Sequence, residues 1–315
     1  MLKRVLSLLL VLACVLTLAV VPVVAAEPDP VQPTASVTEP TPTTDPEPSP
    51  EPSSEPSPEP TPEPSPEPSP VPTPSGPWYQ AALDFACDHR ILLGDPSGNM
   101  MPNDNATRAQ MAAMLVRVFG CTAGKDIAHF TDVSTTAWYY SELSTAAQMN
   151  IFNGYGDGTM GPNRSITRQE AMVVIARAFA VPDGTAADIQ AFRDASSVGS
   201  WAVAKVGGLV KAGIVNGDNG SLYPTASITR AEIAQMLYNL GLQFCSDAAA
   251  LPASGRVIYN GAAPLTADAF TGTLYLGGPA GRDLGGMNIT GTLVVRTDPN
   301  GTVTVGGTVD TLTVA

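Results

Sequence analysis

Three arginines occupy the same place in three similar stretches: Arg108 in "ATRAQMAAML", Arg168 in "ITRQEAMVVI" and Arg230 in "ITRAEIAQML". Each follows a threonine (Thr107, Thr167, Thr229), and two of the three stretches carry a glutamate three residues after it (Glu170, Glu232). Threonine and glutamate at that spacing, ahead of an apolar run, form a capping box: the hydroxyl caps one free backbone N–H and the carboxylate reaches back to another. The arginine has no such job. It falls in the first helical turn, where the positive end of the helix dipole disfavours a cation by roughly 0.3–1 kcal/mol. The placement makes sense for an anion site, since free N–H groups, the dipole and a planar guanidinium fork then address one carboxylate or phosphate. The alternative is an arginine that pairs with a nearby Asp or Glu on a solvated face.

The elements that carry these residues recur. Trp78, Trp138 and Trp201 are each followed sixteen residues later by glycine (Gly94, Gly154, Gly217). A loop dense in Gly, Asp and Asn then leads to Pro102, Pro162 or Pro224, and five residues on to the threonine. With a period of 60 to 63 residues, each unit reads as helix, loop, helix. Apolar residues at helical spacing mark the first helix (Trp201, Val206, Leu209, Val210, Ile214) and the second (Ala171, Val174, Ile175, Ala178). Repeats two and three open on "FTDV" and "FRDA", where Asp132 and Asp194 read as caps ahead of the first helix. Trp138 and Trp201 have two readings, stacking on a sugar ring or filling the core. Tyr155 and Asp157 of the loop "GYGDGTMGPN" are candidates to line a groove, and one carboxylate there falls short of a calcium loop.

Together the F-x-D lead, the tryptophan, the G-Y-x-D-G-T-x-x-P-N loop and the T-R-x-E helix start, in three tandem copies, resemble the S-layer homology (SLH) domain. The resemblance covers residues 78–240. It implies a mainly α architecture, three helix-loop-helix repeats in a pseudo-threefold bundle. It also implies grooves between repeats that bind a pyruvylated secondary cell-wall polysaccharide, a peptidoglycan-associated polymer, with Arg108, Arg168 and Arg230 meeting the ketal carboxylate. The repeats divide as 78–125, 126–187 and 188–245. The first is degenerate: Gln110 replaces the glutamate, the loop is "GDPSGNMMPN", and the F-x-D lead is missing.

The flanks differ in kind. Residues 1–26 have a basic start, a long apolar stretch and a Val24-Ala25-Ala26 exit, the pattern of a secretory signal, so the chain is expected to be secreted, and the SLH resemblance implies the cell wall or surface as its place. Residues 27–77 hold twenty prolines, ten acidic residues and no Lys or Arg. That composition reads as a disordered linker and supplies most of the net charge of −13. The remainder is mildly acidic, which argues against a nucleic-acid partner. Cys87, Cys121 and Cys245 have no metal-ligand spacing and allow one disulfide at most, with Cys87–Cys121 conceivable. From 246 to 315, short β-branched runs bounded by Gly, Asn and Asp suggest a small all-β segment, solenoid-like or a sandwich fragment. Its apolar strand at 312–314 invites self-association or a protein partner along the β edge. No catalytic motif, metal set or cofactor loop is found, so a noncatalytic binder is expected, with a wall-attached polysaccharide-active enzyme or a membrane-to-wall tether as alternatives.

Overall fold

A computed structural model describes residues 76–95, 97–278, 281–298 and 302–314. The secretory signal and all but the last two residues of the proline segment lie outside them. Among the described residues, each repeat contributes a first helix, α1 (Gln80–Asp88), α3 (Tyr140–Gln148) or α6 (Val203–Lys211), and a second, α2 (Arg108–Phe119), α4 (Arg168–Ala178) or α7 (Arg230–Asn239). A four-residue helix, α5 (Ala186–Ile189), joins repeats two and three.

The first helices end on left-handed residues at matching positions: Arg90 (φ 55°), Asn150 (φ 54°) and Gly213 (φ 69°). Such a residue stops a helix and turns the next side chain inward, and Ile91, Ile151 and Ile214 follow, all buried. Helix α6 is therefore shorter than the apolar spacing predicts, since Trp201 lies before it and Ile214 beyond it. All three tryptophans are exposed, at 65%, 59% and 56% for Trp78, Trp138 and Trp201, which overturns the core reading.

All three second helices start with a complete capping box. Gln110 serves in repeat one as glutamate does elsewhere: its Oε1 accepts from Thr107 N at 3.0 Å. Just before each cap, one buried residue from each repeat joins a closed ring of backbone hydrogen bonds. Ala106 N donates to Ile228 O (2.9 Å), Ile228 N to Ile166 O (3.1 Å), and Ile166 N to Ala106 O (3.0 Å). The next two N–H groups of each helix reach forward to the following repeat. Arg108 N and Ala109 N donate to Arg164 O and Pro162 O, Arg168 N and Gln169 N to Ala226 O and Pro224 O, and Arg230 N and Ala231 N to Asp104 O and Pro102 O. Neighbouring repeats thus satisfy the first-turn donors that a lone helix leaves open.

Beyond α7 lie β1 (Leu242–Cys245), β2 (Ser254–Tyr259), β3 (Ala269–Leu276), β4 (Arg282–Asp283), β5 (Asn288–Val295), β6 (Val303–Thr304) and β7 (Val309–Val314). Leu242–Cys245, assigned to the third repeat from sequence, is the first strand of the sheet. One five-stranded sheet runs β1-β2-β3-β5-β7 and a two-stranded one pairs β4 with β6, with every pairing parallel. That order, following the chain strand by strand, is one of stacked coils and not of a sandwich. Gly255, Gly272 and Gly291 stand in register with φ of 116°, 122° and 128°. A Cβ on the second or third would collide with the carbonyl of the glycine before it.

One face of this sheet packs on the helices. Ile258, Tyr275 and Val294 join the helical core. Tyr275 donates from its hydroxyl to Phe179 O (3.1 Å), and its ring meets Phe179 at 5.6 Å between centroids. Buried Arg296 caps the C-terminus of α4, with Nε to Ala178 O (3.1 Å) and Nη2 to Arg177 O (2.8 Å), where a cation suits the dipole. Asp298 accepts from Thr122 N, Ala123 N and the Thr122 hydroxyl. The three cysteines are free thiols, so the Cys87–Cys121 pairing is not formed; Cys121 Sγ instead donates to Arg296 O.

Candidate functional site

Arg108, Arg168 and Arg230 are 5%, 8% and 5% exposed, so none lies on a solvated face, although the acidic pairing of that alternative is present: Arg168 pairs with Glu232, and Arg108 Nη1 is 3.8 Å from Glu170 Oε1. Each side chain crosses to the loop of the next repeat. Arg108 Nε donates to Met160 O (3.0 Å), Arg168 Nε to Leu222 O (2.8 Å) and Arg230 Nε to Met100 O (2.8 Å). These carbonyls belong to equivalent residues, each two before the loop proline. A second guanidinium nitrogen is used as well: Arg108 Nη2 to Asn153 O (3.1 Å) and Arg230 Nη2 to Leu93 O (2.7 Å), while Arg168 Nη1 pairs with Glu232. Burial lowers the pKa of Arg108 and Arg230 from the usual guanidinium value, yet a guanidinium stays charged in proteins. The cation at the unfavourable helix end is thus compensated by carbonyl oxygens brought to it from the neighbouring repeat.

The expected use of free helix N–H groups by an anion does not hold. Those donors are already bonded to carbonyls, and the third to the threonine hydroxyl. At these helix starts the donors left for a ligand are side chains.

Asp132 and Asp194 are not caps of the first helices, whose N-terminal residues have no side-chain cap. They hold the loops instead. Asp132 accepts from Met160 N and Gly161 N (2.8 Å each), and Asp194 from Leu222 N (2.8 Å) and Tyr223 N (2.7 Å). The phenylalanine of the same lead seals the loop glycine: a Cβ on Gly154 or Gly217 would run into the ring of Phe130 or Phe192. A carboxylate accepting two backbone N–H bonds satisfies it far from any helix start, which is why spacing alone misassigned these residues.

Two grooves occupy equivalent positions between repeats. The larger, about 490 Å³, runs along α7 and is lined by Trp78, Arg168, Asp218, Glu232, Gln235 and Asn239, among others. The smaller, about 320 Å³, runs along α2 and is lined by Trp138, Arg230, Asp95, Gln110 and Arg117, among others. Each groove draws on all three repeats: loop and second helix from one, arginine from the repeat before, tryptophan from the repeat after. In the corresponding place on repeat two, Tyr155 lies across the arginine. Its ring is 4.5 Å from the Arg108 guanidinium and 4.7 Å from that of Arg164, and its hydroxyl donates to Glu170 Oε1 (2.9 Å). Burial raises the Tyr155 pKa. Asp157 is exposed and serves its own turn, accepting from Thr159 N and its hydroxyl. Trp201 is exposed but lines neither groove.

Trp78, Arg117, Gln235 and Asn239 were not singled out as site residues from sequence. The signal was present: 232, 235, 236 and 239, like 110, 113, 114 and 117, share one helix face with the capping-box residue.

A family model of the S-layer homology domain matches residues 73–112, 129–172 and 191–234. The chain carries three tandem SLH domains. Relatives include the surface-layer 125 kDa protein of Lysinibacillus sphaericus, 32% identical over 49% of this chain and 13% of that protein. The cellulosome-anchoring protein of Acetivibrio thermocellus is 31% identical over 47% of this chain and 34% of that protein. An amylopullulanase of Thermoanaerobacterium thermosulfurigenes is 29% identical over 52% of this chain but only 9% of that protein. The chain thus spans a small part of the length of these relatives. The SLH repeats and surface-layer relatives indicate a secreted, cell-surface protein, and they support attachment to the cell wall through the repeats.

Proposed function

We propose that this chain is a noncatalytic anchor whose SLH repeats, arranged as a pseudo-threefold unit, hold it to the wall by binding a pyruvylated secondary cell-wall polysaccharide in the grooves between repeats. The observation that carries this reading is the pairing, in both grooves, of an exposed tryptophan at the mouth with a buried arginine at the base. An aromatic face covers the apolar side of a sugar ring in either groove, and a guanidinium not already paired with a glutamate anchors a carboxylate. Two such grooves on one unit give avidity toward a repeating polymer.

Co-sedimentation of the secreted chain with purified cell walls tests it. Binding should be lost after the secondary polymer is extracted from the walls. Binding that survives extraction would turn the reading toward peptidoglycan itself.

A second contact is favoured by the sheet. Strand β7 pairs only with β5 among the described residues, and Leu312 and Val314 are exposed on it. An apolar strand with a free edge supports pairing with a further strand of a partner or of another copy.

A further inference from the structure

The two grooves are alike in build and opposite in charge. In the α7 groove Glu232 does two things at once. Its Oε2 accepts from Thr229 N (2.8 Å) to complete the capping box, and its Oε1 pairs with Arg168. The base of that groove is therefore a closed ion pair, and Asp218 adds a negative charge to the lining.

In the α2 groove the same helix position holds Gln110. Its Oε1 takes the capping role, accepting from Thr107 N, so its amide Nε2 stands in the place where glutamate presents Oε1 to the arginine. An amide nitrogen only donates. Facing it, Arg230 has Nε and Nη2 bonded to Met100 O and Leu93 O, and its Nη1 has no hydrogen-bond partner among the described residues. Arg117 takes the position that Asn239 holds in the other groove, with Nη1 on Ile91 O (3.3 Å) and with the Glu142 carboxylate acting on its charge. Asp95 is at the rim, but its carboxylate is engaged by Ser97 N, Asn99 N and the Asn99 amide. The lining thus sets two guanidinium groups and an amide donor against one carboxylate, Asp95, that its own loop engages, with Asp104 as a further acidic neighbour of Arg230, and an anion meets the donors left over.

We infer that the α2 groove, on the degenerate repeat, is the site selective for an anionic sugar substituent, whereas the α7 groove takes an uncharged sugar face. This deepens the wall-binding reading and rests on it. The Glu-to-Gln departure of the degenerate repeat is what leaves Arg230 without the glutamate partner that Arg168 has.

Both residue types build the same capping box in this chain, so the exchange Gln110→Glu or Glu232→Gln leaves the helix start intact. The secreted chain, wild type and each variant, is titrated by calorimetry with a methyl hexoside bearing a pyruvate ketal, its neutral methyl ester, and a hexose phosphate. Wild type is expected to bind an anionic probe at one site, about tenfold tighter than the ester. The ketal and phosphate probes separate the two sources of charge. Gln110→Glu should remove that preference, and Glu232→Gln should add a second anion site. Unchanged anion binding in Gln110→Glu, or equal binding of ester and acid by wild type, overturns the inference. Sedimentation of the same variants with walls keeps the two readings apart. A chain that sediments while Gln110→Glu has no effect on the probes refutes the groove assignment alone; a chain that never sediments refutes wall binding.

Discussion

Arg108 and Asp132 grip the same residue from opposite sides: the guanidinium donates to Met160 O at 3.0 Å while the carboxylate accepts from Met160 N at 2.8 Å. Arg168 and Asp194 do the same to Leu222. One clamp arm comes from the repeat that owns the loop and the other from the repeat before it, so the loop is fixed only when the repeats are assembled. In repeat one the F-x-D lead is missing, and Met100 is held by Arg230 alone among the described residues.

The clamps are therefore expected to carry stability. Asp132→Ala leaves two buried loop N–H groups without partners, and hydrogen bonds to charged groups contribute about 1.5–3 kcal/mol. Arg108→Ala should cost at least as much, and Arg108→Lys should not rescue it, because one ammonium cannot span the Met160 and Asn153 carbonyls. Denaturant unfolding of the secreted chain measures these losses.

Tryptophan substitutions should separate binding from folding. Trp78→Ala and Trp138→Ala remove exposed side chains and should change stability by no more than about 0.5 kcal/mol. Each should weaken wall binding by roughly tenfold, on the order of 1.4 kcal/mol. Trp201→Ala should have little effect, since Trp201 lines neither groove. Binding isotherms on purified walls, beside thermal melts, test all three.

The sheet should behave as part of the repeat unit. Cutting after residue 240 would uncover Phe119 and Phe179, whose rings meet Tyr275, and would remove the Arg296 cap from α4. The shortened chain should unfold at lower denaturant and bind a hydrophobic dye. Tyr275→Ala in the full chain is expected to cost about 3–5 kcal/mol. A single unfolding transition should report both parts together.

Alkaline pH should loosen the same contact. Burial pushes the Tyr275 phenol from 10.0 up to about 12, and the Cys121 thiol from 9.0 up to about 11. A raised acid pKa means that the unfolded chain loses its proton first. The contribution is complete below pH 9 to 10 and is lost as pH rises through 11 to 12. Tyr275→Phe should flatten the upper part of that decline in a stability–pH series, and Cys121→Ala the lower part.

Much of this was legible in the residues. The threonine, glutamate and arginine spacings marked the starts of α2, α4 and α7, and the tryptophan-to-glycine offset marked the repeats. What was hidden lay between repeats. No local pattern says that Arg168 spends its guanidinium on Leu222 O, 54 residues away, or that first-turn donors are met by a neighbour's carbonyls. Asp132 illustrates the limit: a carboxylate ahead of a helix fits a cap locally, but its partners lie 28 and 29 residues on. The tryptophans fit both a core and a surface reading, because only the point at which the first helix begins decides which way they face.

Titration of solubilised wall polymer into the secreted chain asks whether the two grooves hold the polymer, comparing wild type with the Trp78→Ala, Trp138→Ala double variant. The account predicts saturable binding by wild type and its near-complete loss in a double variant that melts like wild type. Undiminished binding by that folded variant would contradict the assignment of the two grooves as the polymer sites.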